Sequence, residues 1–353
     1  MPPSCSEPYP PVLPLATRVL ILSNAPSAST PALELISESA VADEVNAVAQ
    51  ALSELGCKPQ KAAVTTAAEI FRWLDQVQTD LVFNLCEGLD GDSADESNVA
   101  AILDSMGVHY TGNHPLVLGL ARNKNLTKKI LVASSIPTPA WAYYESVPTT
   151  APTALSYPLI VKPACEDASL GILDDAVVRD FPSLRKNCRR LLEHYPRDGV
   201  LVEEFIAGRE ISVALLPDGR NVRALPPSEI DFSGFQPGAD QIVSYKAKWV
   251  TDDELYRSTP SRCPAVVTSE LQDYLQNMAI SVHRALGADS YGRVDFRVDC
   301  NDHPFVLEYN PNPDISPGAG YSNALAAAGL SYPDFVQIVI QAALARRKNA
   351  GSC

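Results

Sequence analysis

The sequence predicts an α/β chain that turns to α+β in its C-terminal half. Two observations carry this. Between residues 17 and 115, short apolar strands alternate with helical segments, the pattern of a small α/β domain. Tyr291 to Asn312, by contrast, reads as two alternating runs joined by a turn, an antiparallel hairpin. At 353 residues the chain has room for roughly two or three domains. The expected division is an arm over 1–16, an α/β domain over 17–115, a central unit over 116–200 and a C-terminal unit over 201–353.

Residues 1–16 are proline-rich and read as a poorly ordered arm. Arg18 to Ser23 reads as a buried parallel strand. Val41, Val45, Val48, Ala49 and Leu52 fall at helical spacing within Glu34 to Leu55, and Gly56 ends that helix. Thr66, with Glu69 three residues on, marks the start of a helix reaching Gln76. Asp80 to Cys86 is expected as the second strand, Ser97 to Met106 as a helix, and Val108 to Tyr110 as a short strand. The acidic loop from Asp90 to Glu96 reads as solvated.

A basic helix follows from Asn123 to Ala133, carrying Lys124, Lys128 and Lys129 and stopped by Ile136-Pro137-Thr138-Pro139. Strands are expected at Trp141–Tyr144, Tyr157–Pro163, Gly199–Phe205 and Gly208–Leu216. Gln236 to Pro264 has little periodicity and reads as a long mobile loop; such loops are functional or disordered. Helices from Thr268 to Leu286 and Ser331 to Lys348 complete the chain.

A net charge of -14 argues against nucleic-acid and anionic-membrane partners. None of the eight cysteines forms a C-x-x-C pair, so zinc and redox motifs have no support, and scattered thiols suit a reducing compartment. The proline-rich N-terminus does not read as a signal helix, and no apolar run is long enough to span a bilayer. A cytoplasmic protein is expected.

In the hairpin, a turn centred between Asn301 and Asp302 places Asp295 opposite Glu308 and Arg293 opposite Asn310. Alternation then puts all of them on one face. Two carboxylates and an amide oxygen make a hard-oxygen set suited to Mg²⁺, and Arg293 adds a fork for an oxyanion. The plainer reading is a surface hairpin with cross-strand charge pairs. The shared register and the run into Pro311-Asn312-Pro313 favour the metal and phosphate site.

Lys162 ends an apolar strand ahead of Cys165–Gly171, a loop of small polar residues. It reads either as a snorkelling lysine or as a phosphate ligand beside a loop whose N–H groups cover a triphosphate. Glu203 and Glu210 flank the apolar hinge Phe205-Ile206-Ala207, which fits a β-turn with solvated acids or a nucleotide hinge. Lys246 and Lys248 sit in the long loop, either as a solvated patch or on a lid over phosphates.

The string GRVDF…FVLEYNPNP resembles the metal hairpin of ATP-grasp ligases of the D-alanine–D-alanine ligase-like family. VFNLCEG, HYTGN, IPTP, VKPACEDASLG, LVEEFIAGRE and SYKAKW follow the family's order from about Arg18 to Arg347. The resemblance implies an ATP-grasp fold: a Rossmann-like domain ahead of two ATP-grasp subdomains. It implies that Lys124 and Lys162 bind ATP phosphates. Glu203, Ile206 and Glu210 would meet adenine and ribose. Ser169 and Glu204 join the ATP-binding candidates. Lys248 would approach the γ-phosphate, and Asp295, Glu308 and Asn310 would hold two Mg²⁺. Arg293 would stabilise a tetrahedral oxyanion. Glu38 falls at the acidic residue that holds the first substrate's ammonium. A homodimer through the N-terminal domain is also implied.

The substrate motifs depart from the family. Ala168 and Trp249 stand where a serine and a tyrosine support that glutamate. Asp314 to Gly320 replaces a Gly-Met-Thr-Ser-His-Ser-type stretch. Ala319 stands at the carboxylate-binding serine, and Asp314 and Ser316 become substrate-pocket candidates. The resemblance therefore implies a carbon–nitrogen ligase retargeted away from D-alanyl-D-alanine. One alternative is a ligase of the mycosporine type, joining an amino acid to a cyclic core; another, of a different class, is a nucleotide-binding regulator without turnover.

Overall fold

The computed structural model describes residues 16–26, 35–167, 169–236, 238–245, 248 and 258–350, without the side chains of 35–40 and 347–350. The described strands form three sheets. The first is parallel, with β1 (Arg18–Asn24) between β2 (Lys58–Val64) and β3 (Leu81–Leu85). Helices α1 (Leu35–Glu54), α2 (Ala67–Gln76) and α3 (Glu96–Ser105) accompany it. The expected stripe of Val41, Val45, Val48 and Leu52 is buried against Ile21 and Phe83. The Glu69 carboxylate accepts N–H bonds from Thr65 and Thr66 at 2.8 and 3.3 Å, so the helix start is as anticipated.

Strand β2 was not anticipated, so the Asp80 segment supplies the third strand rather than the second. KPQKAAV is polar because β2 is an edge strand with exposed Lys58, Gln60 and Lys61. The expected strand at Val108–Tyr110 is only one parallel bridge, Val82 to Tyr110.

The second sheet is antiparallel, in the order β4 (Trp141–Tyr144), β7 (Val200–Glu204), β5 (Leu159–Pro163), β6 (Val177–Val178). Helix α6 (Phe181–His194) covers it, burying Leu184, Cys188 and Leu191 against Leu159, Val161, Val200 and Val202. The boundary expected at 200/201 thus falls at the start of β7, which among the described strands is bonded to β4 and β5.

The third sheet runs β11 (Ser261–Arg262), β10 (Ser228–Ile230), β8 (Arg209–Asp218), β12 (Gly292–Val298), β13 (Pro304–Asn310), with β9 (Asn221–Ala224) also paired to β8. Alternation divides its side chains cleanly. Ile211, Val213, Leu215, Val294, Phe296 and Val298 pack against α4 (Pro115–Arg122), α5 (Lys124–Ala133) and α7 (Ser269–Ala285). On the other face, Ala214, Leu216 and Tyr291 join the first sheet, α8 (Gly320–Ala327) and α9 (Tyr332–Ala350) in one core. Tyr291, Tyr321 and Phe335 meet there with centroids 5.4–6.0 Å apart. Such contacts add roughly 0.5–1.5 kcal/mol each beyond area burial.

Candidate active site

The hairpin positions the centre of the site. Across β12 and β13, Arg293 pairs with Asn310 and Asp295 with Glu308, the expected register. The route to it differs from the expected one. The turn is centred on Asn301, where Asp299 N–H donates to His303 O at 3.1 Å. An unbroken ladder from that turn would set Leu307 opposite Asp295. A bulge intervenes: Phe296 pairs with Val306, and Leu307 is the extra residue. Leu307 and Glu308 consequently both line the cleft between the second and third sheets.

Arg293 donates both Nε and a terminal nitrogen to the Asp295 carboxylate at 2.7 Å. Despite burial, this pairing raises the affinity of the guanidinium for its proton. Burial also disfavours the ionised Glu308 carboxylate, but Lys124, Lys162, Arg293 and Lys248 outweigh it and hold its acid form at about 2. Asn310 Oδ1 accepts the N–H of Asn312 at 3.0 Å. The set therefore keeps hard-oxygen donors, one of them firmly ionised, on one face, as a divalent cation carrying phosphate oxygens requires. Among the described residues there is no cluster of three His, Cys, Asp or Glu side chains able to hold a metal by itself. With an amide as third donor, the remaining coordination falls to ligand or solvent oxygens.

Asn123 positions Lys124. It closes α4 and caps α5, accepting Leu126 N–H at 3.0 Å. Lys124 is 4% exposed, and its ammonium lies 2.6 Å from Asp167 Oδ1, 2.7 Å from the Glu166 carbonyl and 3.4 Å from Glu308. Burial lowers its proton affinity, but Asp167 and Glu308 more than restore it. The first N–H of α5 also donates to Ala164 O at 3.0 Å, joining the helix start to the 164–171 loop.

Lys162 meets a different partner. Glu203, 0% exposed, lies 2.9 Å from both Lys162 and Lys128. Burial, with Lys162 nearby, lowers the Lys128 ammonium to about 8 against the pull of Glu203. Sequence reasoning grouped Glu203 with Ile206 and Glu210 as residues that meet adenine and ribose. Its carboxylate lines the cleft from below, neutralised by two lysines, and Lys128 was passed over as one charge on a basic helix. Glu204 accepts Ser156 N–H at 2.7 Å. Glu210 pairs with Arg297 at 3.1 Å, and burial raises its acid's pKa against that pairing. Arg297 also donates to Ile206 O at 3.0 Å and stacks over Phe205 at 5.2 Å. Lys162, Ser169, Glu203, Glu204, Ile206 and Glu210 all line the cleft that holds Asp295 and Glu308. Lys248 belongs to the same electrostatic group: burial and Arg293 lower its ammonium, opposed by Glu308, Asp295 and Asp314.

Beyond the hairpin the chain enters a second acidic group. Asp314 Oδ1 accepts the N–H and hydroxyl of Ser316. Glu44, 5% exposed, accepts Ile315 N–H at 2.7 Å. Burial, then Glu87 and Asp314, raise its carboxyl well above the carboxylate range. Sequence reasoning missed Glu44. The signal was an acid inside the apolar stripe of α1, between Val41 and Val48. The side chain of Glu38, together with Ala168 and Trp249, lies outside the described residues.

Asn113 was also missed. Its side-chain amide donates to Tyr291 O at 2.8 Å and Pro311 O at 2.7 Å, and its oxygen accepts the N–H groups of Asp289 and Ser290 at 3.1 Å. One buried amide of the N-terminal domain thus ties both ends of the hairpin.

The chain is similar to known proteins in sequence and in fold. The family described as D-ala D-ala ligase C-terminus matches residues 136–341, more than half the chain. The chain is 32% identical over 304 residues to the uncharacterized protein y4sG of Sinorhizobium fredii, covering 84% of this chain and 86% of that one. It is 31% identical over 254 residues to the D-alanine–D-alanine ligase of Bordetella avium, covering 71% and 75%. The D-alanine–D-alanine ligase of Bacillus anthracis complexed with ATP superposes with a TM-score of 0.74 at 21% identity, over 95% of this chain and 100% of that one. The enzyme from Coxiella burnetii gives 0.71 at 18% identity, over 95% and 96%. The structures establish the ATP-grasp fold, the sequences establish kinship, and the chain belongs to the D-alanine–D-alanine ligase-like family of ATP-grasp proteins.

Proposed function

We propose that the protein is an ATP- and Mg²⁺-dependent carbon–nitrogen ligase that joins an amino acid or amine to the carboxylate of a second small molecule. The observation that carries this reading is that Arg293, Asp295 and Asn310 share the hairpin register with Glu308, that Lys124, Lys162 and Lys248 act on Glu308, and that Asp295, Glu308 and Lys162 line one cleft. Asp295, Glu308 and Asn310 are the residues that would hold Mg²⁺, which when bound neutralises phosphate charge and polarises the γ-phosphoryl group. Lys124, Lys162 and Lys248 neutralise the phosphates. The apolar hinge around Ile206 and Leu307 receives the base, and Glu210 the ribose. A carboxylate oxygen attacking the γ-phosphorus breaks its bond to the β–γ bridging oxygen, releasing ADP and giving an acyl phosphate; a neutral amine then adds to the acyl carbon, and the tetrahedral oxyanion beside Arg293 collapses with expulsion of phosphate and loss of the amine proton. Most of the acceleration comes from positioning and charge neutralisation.

The acids at the substrate end support a pair other than two D-alanines. Glu87 and Asp314, the acids that push the buried Glu44 carboxyl toward its neutral form, would repel a second substrate's carboxylate and favour an amine or a cation. Small molecules are the proposed partners, with a homodimer through the N-terminal domain. Among the described residues no helix is long and apolar enough to cross a membrane.

Phosphate release from Mg·ATP against a matrix of D- and L-amino acids, amines and cyclic acceptors, with product mass, tests the proposal. Release that needs a pair other than two D-alanines is the expected result. Release with two D-alanines overturns the substrate reading, and release with no pair overturns the ligase reading.

A further inference from the structure

Lys124 is fully committed. An ammonium has three protons, and three oxygens surround this one: Asp167 Oδ1 at 2.6 Å, Glu166 O at 2.7 Å and Glu308 Oε2 at 3.4 Å. A nucleotide phosphate can reach Lys124 only if one of them withdraws. The three are not equal. Glu308 is fixed by the hairpin register. The Glu166 carbonyl is backbone, and its side chain is clamped by Ser93 Oγ at 3.3 Å and Arg122 at 3.5 Å. Asp167 alone is a side chain on a loop, and it is 44% exposed while the lysine beneath it is 4% exposed. It carries the charge sign of a phosphate oxygen.

On the nucleotide reading proposed above, we infer that Asp167 is an intramolecular stand-in for a phosphate oxygen, seated on Lys124 until nucleotide displaces it. Its presence gives a buried ammonium its third oxygen partner. Its cost is to nucleotide affinity: protein with Asp167 seated is not competent to bind phosphate, and the apparent dissociation constant rises by the inverse of the competent fraction. Asp167 is therefore a positioning residue that sets affinity for the phosphates and leaves affinity for the nucleoside alone.

Calorimetric titration of Mg·ATP and of adenosine into the wild-type protein, Asp167→Asn and Asp167→Glu separates the possibilities. Asp167→Asn should tighten Mg·ATP by on the order of tenfold and leave adenosine unchanged. Asp167→Glu, which keeps the charge, should stay near wild type; melting curves confirm that both variants are folded. Unchanged or weaker Mg·ATP binding by Asp167→Asn overturns the inference, as does equal tightening of adenosine, and in both cases the nucleotide reading stands. Absence of Mg·ATP and adenosine binding from all three proteins overturns the nucleotide reading and this inference with it.

Discussion

Asp295 stands directly opposite Glu308 across the hairpin, and the extra residue Leu307 is what brings them together. A straight ladder from the same turn would point Glu308 at the hydrophobic core. Because four cations hold its acid form at about 2, Glu308 is ionised throughout the working range. Glu308→Gln should lower ATP-dependent phosphate release by on the order of a hundredfold or more, with the same loss at pH 6 and pH 8. A loss that varies with pH over that range would contradict the assignment.

The buried triad predicts an asymmetry. Glu203→Gln leaves Lys128 and Lys162 facing each other without a counter-charge, and breaking a buried pair in this way costs roughly 3–5 kcal/mol. Lys128→Met removes the surplus cation and leaves Lys162 paired, so its cost should be about 1 kcal/mol, the range of a well-packed apolar replacement. Denaturant unfolding of the two variants checks the order.

Asn113→Ala removes four hydrogen bonds that hold the ends of the hairpin. At about 1 kcal/mol each, with buried backbone groups left unpaired, stability should fall by roughly 3–4 kcal/mol. Phosphate release should drop as well, read at a temperature where the variant is still folded.

Asp314→Asn keeps an oxygen for Ser316 and removes a negative charge from the substrate end. On the proposed reading, acceptors bearing a free carboxylate should gain about tenfold in kcat/KM relative to neutral amines. Competition between the two acceptor types measures this directly.

Arg18 grips Asp80 through its backbone N–H, Nε and a terminal nitrogen, at 2.9, 3.1 and 2.6 Å. These bonds hold the Asp80 acid at about 2, below its ordinary 3.8. The sign follows: the contribution is present above pH 3.8 and is lost as pH falls toward 2. Both side chains are more than 40% exposed, so its size should be under about 1 kcal/mol. Asp80→Asn should flatten that limb of a stability–pH curve.

The sequence made the hairpin legible because strand alternation and a turn are local signals. Its register was right for a reason that was not legible. A turn placed half a residue late offset a bulge, and bulges leave no mark in an alternating pattern. Strand β2 was invisible because its hydrogen bonds come from β1 and its exposed side asks for lysine and glutamine. Helix α6, with Asp180 at its cap and Leu184, Cys188 and Leu191 at helical spacing, was readable and was passed over. The links between elements were out of reach. Nothing local says that Asn113 binds Tyr291 and Pro311, or that Lys128 and Lys162 share Glu203.

The division of the cores has a mechanical consequence. The first sheet, α8, α9 and one face of the third sheet share a single apolar cluster, so they behave as an anvil. The second sheet keeps its own cluster with α6. Its described apolar bridge across the cleft is the small patch of Ile242 with Ala176 and Val177, and polar contacts add to its grip: the ion pairs of Lys128 and Lys124 and the hydrogen bonds of Lys124 N–H to Ala164 O and Trp141 Nε1 to Asn125. Polar contacts can trade protein oxygens for phosphate oxygens, whereas an apolar core has no such exchange. On the proposed reading, the central sheet is the hammer, the half of the cleft whose contacts a nucleotide can exchange for its own.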